Sequence, residues 1–237
     1  MNAKRVGFFG ASGSLSGSGI NNALEWWRDG KMPSVTPCAL ISCNDAGGVS
    51  VLADNWKIPF YHFTKPYDEA AWQKMWNNCD LEYLVLLGCS IMAKGLYEMN
   101  GRVINEHPAL LSLHRPEPPH GPLFGGKGMT DLKVHEAVIK LREPLGLTKS
   151  GTTTHFVIFE EGEEDRYDSG PIISEHKYEL KPDETPASLQ EAIKLLQRQK
   201  TPQDIEDVVS GKVQLRHTRR EGWHSSVNVG GYREIRR

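Results

Sequence analysis

The sequence predicts an α/β protein built on a mainly parallel, twisted sheet with helices on both faces. Three observations carry that reading. Short apolar runs alternate with helix-patterned ones over the first two-thirds of the chain, the order that βαβ units produce. The stretch 81–88 is apolar but for Glu82, as in a strand covered on both faces. A Gly/Ser loop at 11–19 joins the first apolar run to the first helical one.

Taken in order, residues 5–10 form a first strand, and a helix follows the Gly/Ser loop through 22–27. Residues 37–42 read as the second strand, 49–56 as a helix and 59–63 as a third short strand. Helical composition returns at 68–77, then the apolar strand 81–88, a helix over 92–99 and a strand over 102–105. The segment 112–130 is rich in Pro, Gly and His and should be a long loop, a usual carrier of substrate contacts. Beyond it come a helix at 131–142 and a β-branched and aromatic strand at 152–159. An acidic, solvated turn at 160–165 and a strand at 170–178 follow. An amphipathic helix at 185–199 should be capped by Asp183 or Thr185.

The expected division is a catalytic unit over 1–211 and a basic tail over 212–237. That tail holds seven Lys/Arg against two Glu, with Trp223, His224 and Tyr232 among them. Phosphate or RNA binding is one use for it, but a flexible or homodimer-bridging extension is the plainer expectation.

With 237 residues, a formal charge of −2 and a pI near 6.5, the chain lacks the electrostatic footprint of a general nucleic-acid or membrane binder. No apolar run approaches the roughly 18 residues of a membrane-crossing helix, and the start lacks a signal-peptide pattern. Cys38, Cys43, Cys79 and Cys89 lie in or beside apolar runs without C-x-x-C spacing, so buried thiols of a reduced, cytoplasmic protein are expected.

Chemistry first surfaces at Val103-Ile104-Asn105-Glu106-His107-Pro108. Side chains alternate along a strand, so Asn105 and His107 share a face, at a sheet's carboxyl edge, where α/β sites lie. An amide can donate to a developing oxyanion, and an imidazole can carry a proton near neutral pH. Taken alone, these six residues favour the plainer reading of an Asn and a His that end a strand. Backbone amides of the Gly/Ser loop at a helix N-terminus suit an anion, though a turn that binds nothing fits too. Tyr61 and Lys65 give the Y-x-x-x-K of short-chain dehydrogenases but lie at a strand end before Pro66, and Asn22 occupies the third glycine position of G-x-G-x-x-G. No Walker lysine follows the loop.

Seven segments, in order, then converge. They are SGSGINNAL at 16–24, ISCN at 41–44, LVLLGCSIMAKGL at 84–96, GRVINEHPALL at 101–111, FGGKGMTDLKVHEAV at 124–138, GTTTHFVIF at 151–159 and DRYDSGPII at 165–173. The chain resembles the folate-dependent formyltransferases, most nearly the branch acting on glycinamide ribonucleotide in purine synthesis. The resemblance covers residues 5–215 and implies a Rossmann-like formyltransferase fold. It also implies formyl transfer from 10-formyltetrahydrofolate to a primary amine, through a tetrahedral intermediate and without a metal.

By that resemblance Asn105, His107 and Asp168 are catalytic. Asn105 and a protonated His107 would stabilise the oxyanion, while Asp168 keeps His107 charged and assists proton transfer. His155 would support them, although a core histidine fits it equally well. Gly19, Ile20, Asn21, Gly88, Glu106, Pro108 and Gln197 would contact the phosphorylated amine. Leu87, Ser90, Ile91, Met92, Val157 and Tyr167 would wall the folate.

Departures from the family pattern cluster on the acceptor side. Ile20 replaces a Ser or Thr, Glu106 an apolar residue, and Gln197 a ribose-binding Glu. Another amine, such as a nucleotide-linked amino sugar or a modified nucleoside, is therefore the alternative acceptor. A catalytically silent folate- or nucleotide-binding paralogue is the alternative from outside enzymes. A tRNA formyltransferase fits less well, because residues 212–237 are too few for its tRNA-binding barrel.

Overall fold

A computed structural model describes residues 2–10, 17–89, 91, 93–113, 122–130, 132–160, 167–218, 222–229 and 232–236. Seven strands form the main sheet. They are β1 (Lys4–Gly10), β2 (Val35–Ser42), β3 (Phe60–His62), β4 (Tyr83–Leu87), β5 (Val103–His107), β6 (Lys149–Phe156) and β7 (Ile172–Glu179). Their spatial order is β3-β2-β1-β4-β5-β6-β7. The first five run parallel, and β6 and β7 are antiparallel additions. The expected mainly parallel α/β sheet is what the chain forms.

Alternation along each strand builds two cores. Val6, Phe8, Leu40, Val85, Leu87 and Ile104 face helices α1 (Ser18–Arg28), α2 (Gly48–Trp56) and α5 (Pro186–Val209). Their sequence neighbours Phe9, Ile41, Leu84, Leu86 and Val103 face α3 (Glu69–Asn78), where Trp72 stacks on Phe9 at 5.5 Å. A third cluster joins α4 (Leu132–Leu141) to α5 through Val134, Val138, Leu189 and Ile193. The strand order reverses between β1 and β4, so a crevice opens at the carboxyl ends of β1, β4 and β5.

Three stretches differ from expectation. The helix expected at 92–99 reduces to one 3-10 turn, Tyr97–Met99, with Met92 outside the described residues. The helix that begins after its Thr185 cap runs to Val209, straight through Pro202. Proline removes the N–H that would bond the carbonyl four residues earlier, which here is that of Arg198. That carbonyl instead accepts a hydrogen bond from Asn22 Nδ2 of α1, at 2.6 Å. A neighbouring helix thus satisfies the group that proline orphans, and the two helices are joined at the crevice.

The expected basic tail is a three-stranded antiparallel sheet of β8 (Val213–Thr218), β9 (Gly222–Val229) and β10 (Tyr232–Arg236). Val213 enters the core on the α5 side, His224, Ser225 and Ser226 are buried, and Ser225 Oγ donates to the carbonyl of Ile172 at the start of β7. Apolar anchors at its root and this strand-to-strand tie fold the segment onto the body, where the positive charge had suggested a free extension. The acidic turn expected at 160–165 falls largely outside the described residues.

Asn22→Ala should cost about 1 kcal/mol by orphaning the Arg198 carbonyl. Urea unfolding checks this, and an unchanged midpoint would show that water serves that carbonyl equally well.

Candidate active site

A cavity of about 760 Å³ opens at the crevice. Asn105, Glu106, His107 and Pro108 of the β5 tip line it, together with Leu87, Gly88, Cys89 and Ile91. Gly17, Ser18, Gly19 and Asn22 of α1 close one side. Val157, Tyr167 and Asp168 lie on another, and Lys194, Gln197, Arg198 and Thr201 of α5 form a third.

The pleat puts Asn105 and His107 on one face, as their spacing predicts, and β6 places His155 directly across from Asn105. His155 Nδ1 lies 2.9 Å from the Phe156 carbonyl, which can only accept, so that nitrogen carries the ring proton. Its Nε2 therefore accepts from Asn105 Nδ2 at 3.0 Å. The second Asn105 N–H reaches Asp168 Oδ1 at a longer 3.3 Å. His107 Nε2 donates to the Phe124 carbonyl at 2.7 Å, which turns Nδ1 toward Asp168 Oδ2, 3.5 Å away. The Gly126 N–H holds that same carboxylate oxygen at 2.9 Å.

Asp168 adopts a left-handed backbone, φ 54°, uncommon outside glycine. Two residues on, Gly170 runs so close to the end of β6 that a Cβ there would stand 1.8 Å from the Phe156 carbonyl oxygen. The turn that delivers Asp168 needs both features.

Burial lowers the pKa of His107 and outweighs the opposing pull of Asp168. For Asp168, burial alone would raise the pKa; its contacts, among them the Gly126 N–H, outweigh it and hold the carboxyl below its ordinary value. Both N–H groups of Asn105 have partners in the site, His155 and Asp168. Burial also pushes Cys89 up to about 12, so this thiol on the cavity wall is no nucleophile at neutral pH.

Among the expected acceptor contacts, Gly19, Gly88, Glu106, Pro108 and Gln197 line the cavity. Two do not. Ile20 is fully buried in the core near Gly10, and Asn21 donates to Glu25 at 2.9 Å and accepts from Trp56 Nε1 at 3.0 Å. A helix turns about 100° per residue, so three consecutive positions cannot face one cavity; Gly19 and Asn22, three apart, do. At the first turn, the Asn21 N–H is spent on the Gly17 carbonyl at 2.7 Å, and no described residue accepts from the amides of Ser18, Gly19 and Ile20.

On the folate side Leu87, Ile91, Val157 and Tyr167 line the cavity, whereas Ser90 and Met92 lie outside the described residues. Asn22, Lys194, Arg198 and Thr201 also line it and were not singled out from the sequence. Thr201-Pro202 inside a helical pattern was the readable signal for the last.

Glu106 points to the other face of β5. Its Oε1 accepts from Thr201 Oγ1, and burial, with Asp204 adding, raises its pKa to about 7. Among the described residues no group of three or more His, Cys, Asp or Glu is placed to hold a metal ion, and no helix is long and apolar enough to cross a membrane.

No family model matches the chain. It is 36% identical over 88 residues to the chloroplastic phosphoribosylglycinamide formyltransferase of Arabidopsis thaliana, covering 37% of this chain and 23% of that protein. Against the Vigna unguiculata protein of the same name it is 28% identical over 183 residues, covering 73% of this chain and 50% of the relative. The chain thus matches half or less of the length of these curated relatives. In fold it is similar to the crystal structure of glycinamide ribonucleotide transformylase 1 from Symbiobacterium toebii, with a TM-score of 0.74 and 20% identity over 96% of this chain and 95% of that one.

Gly170→Ala should cost roughly 2 kcal/mol or more, since a backbone carbonyl fills the space; a melting curve superimposed on that of the wild type would exclude the close approach. Glu106 gives a pH test. Its folded pKa of about 7 exceeds the ordinary 4.5, so its favourable contribution is complete below pH 4.5 and is lost as pH rises through 7. Glu106→Gln, free of that titration, should gain about 1–3 kcal/mol on the wild type between pH 5 and pH 8. Chemical denaturation at the two pH values reads the difference, and a constant gap would contradict it.

Proposed function

We propose that this chain transfers a formyl group from 10-formyltetrahydrofolate to the primary amine of glycinamide ribonucleotide, a step of purine synthesis. The observation that carries this reading is the linked set Asn105, His107, His155 and Asp168 at the tip of β5, in a cavity whose far side is the open first turn of α1. The names of the relatives support the same chemistry. Four free thiols suit a reducing compartment such as the cytoplasm.

The acceptor's phosphate takes the free amides of Ser18, Gly19 and Ile20, aided by the positive end of the α1 dipole. The pterin lies against Leu87, Ile91, Val157 and Tyr167, an apolar wall. Attack of the amine on the formyl carbon places negative charge on the formyl oxygen. Asn105 swings its longer hydrogen bond from Asp168 to that oxygen, while the shorter one to His155 keeps the amide in place.

His107 enters neutral, so Nδ1 accepts the proton that the attacking nitrogen loses. Asp168, ionised beside it, stabilises the resulting imidazolium. The same proton then passes to the departing folate nitrogen as the carbon–nitrogen bond breaks. His107 is thus base and then acid, and His155 is a positioning residue acting through Asn105.

His107→Ala and Asp168→Asn should each lower kcat at least about 100-fold while folate affinity stays within a few-fold. Absorbance at the deformylation of 10-formyl-5,8-dideazafolate, with and without glycinamide ribonucleotide, is the readout. Turnover that needs the ribonucleotide supports transfer; turnover indifferent to it would point to hydrolysis, and a near-normal variant would remove that residue from the mechanism.

A further inference from the structure

The proposed chemistry leaves Glu106 without a task, and its surroundings make it costly to keep. It sits between Asn105 and His107 in sequence but on the opposite face of β5, in register with Leu87 of β4 and Thr154 of β6. Thr201 of α5 donates to Oε1, and no described residue hydrogen-bonds Oε2. An ionised carboxylate has room for about four hydrogen bonds, yet the nearby cavity wall includes the apolar Leu87, Pro202 and Ile205. A half-satisfied carboxyl in such a place destabilises the free protein unless a ligand brings donors to it.

What that ligand must be follows from the path across the strand tip. The free amides of α1 and the α5 wall lie on Glu106's side of the sheet, while His107 and Asp168 lie on the other. A molecule anchored by an anion at α1 and presenting an amine to His107 passes over Glu106 on the way. We propose that Glu106 is a specificity-determining residue for the acceptor, its free oxygen accepting a hydrogen bond from a hydroxyl carried between the acceptor's anionic end and its amine. The class selected is a hydroxylated, sugar-bearing amine. This rests on the formyl-transfer reading above, which fixes the acceptor's two ends. Thr201 holds the carboxyl in place and is a positioning residue.

The test compares glycinamide ribonucleotide with its 2′,3′-dideoxy analogue, at saturating 10-formyl-5,8-dideazafolate, in the wild type, Glu106→Leu and Glu106→Gln. A hydrogen bond to the Glu106 carboxyl predicts a KM for the ribonucleotide raised about tenfold in Glu106→Leu. Its kcat should stay within about threefold, and its KM for the dideoxy analogue should be unchanged. Glu106→Gln keeps the shape of the side chain, guards against a folding defect and should lie between. Equal KM values in all three proteins would overturn the proposal, and so would an equal rise for both acceptors, the mark of a merely structural role. No ribonucleotide-dependent turnover in the wild type would remove the formyl-transfer reading and this proposal together. Folate affinity, measured in parallel by fluorescence quenching, separates that case from loss of the folate site.

Discussion

The carboxylate of Asp168 is the knot on which the site depends. Its two oxygens meet the Asn105 amide, the Gly126 N–H and, at longer range, the imidazoles of His107 and His155. Elements far apart in sequence are thereby fixed relative to one acid. The knot is tied at one backbone atom, the Phe156 carbonyl oxygen, which takes the His155 ring proton and leaves room beside it for glycine alone at 170. The left-handed turn at Asp168 stores strain of order 1 kcal/mol, offset by charge-assisted hydrogen bonds of comparable or larger worth.

The pleat of β5 then divides the labour. Two carboxyls stand near one strand tip, Asp168 on the face of Asn105 and His107, and Glu106 on the other. Their environments push them in opposite directions, the first below its ordinary value and the second up to about 7. One is held toward its anionic form beside His107; the other titrates near neutrality against the α5 wall. Glu106 and its sequence neighbours Asn105 and His107 thus stand on opposite faces of one sheet.

Much of this was legible in the chain. Period-two alternation gave Asn105 and His107 their shared face, and the uninterrupted apolar run of β4 gave a buried parallel strand. What escaped reading depends on partners distant in sequence. Pro202 argues locally for a helix end, and only the Asn22 amide, supplied from α1, makes it tolerable. The resemblance put Ile20 and Asn21 beside Gly19 at the phosphate, whereas helical rotation turns their side chains into the core and toward Trp56. An aspartate near His107 is visible in the sequence, but the depth of burial that lowers its pKa is not. In the last segment the basic residues outweighed the few apolar anchors, such as Val213, that seat it against the body.

The bond from Ser225 to the Ile172 carbonyl has a consequence for how the protein is made. Ile172 stands four residues past Asp168, at the mouth of the strand that follows the strained turn. A chain emerging from the ribosome exposes Asn105, His107, His155 and Asp168 well before β9. The strand entrance beyond the turn acquires this restraint only once β9 has been synthesised and has folded back. Until then the nascent chain carries these four side chains with that end of the turn unsecured, so the finished site should be gained late in synthesis.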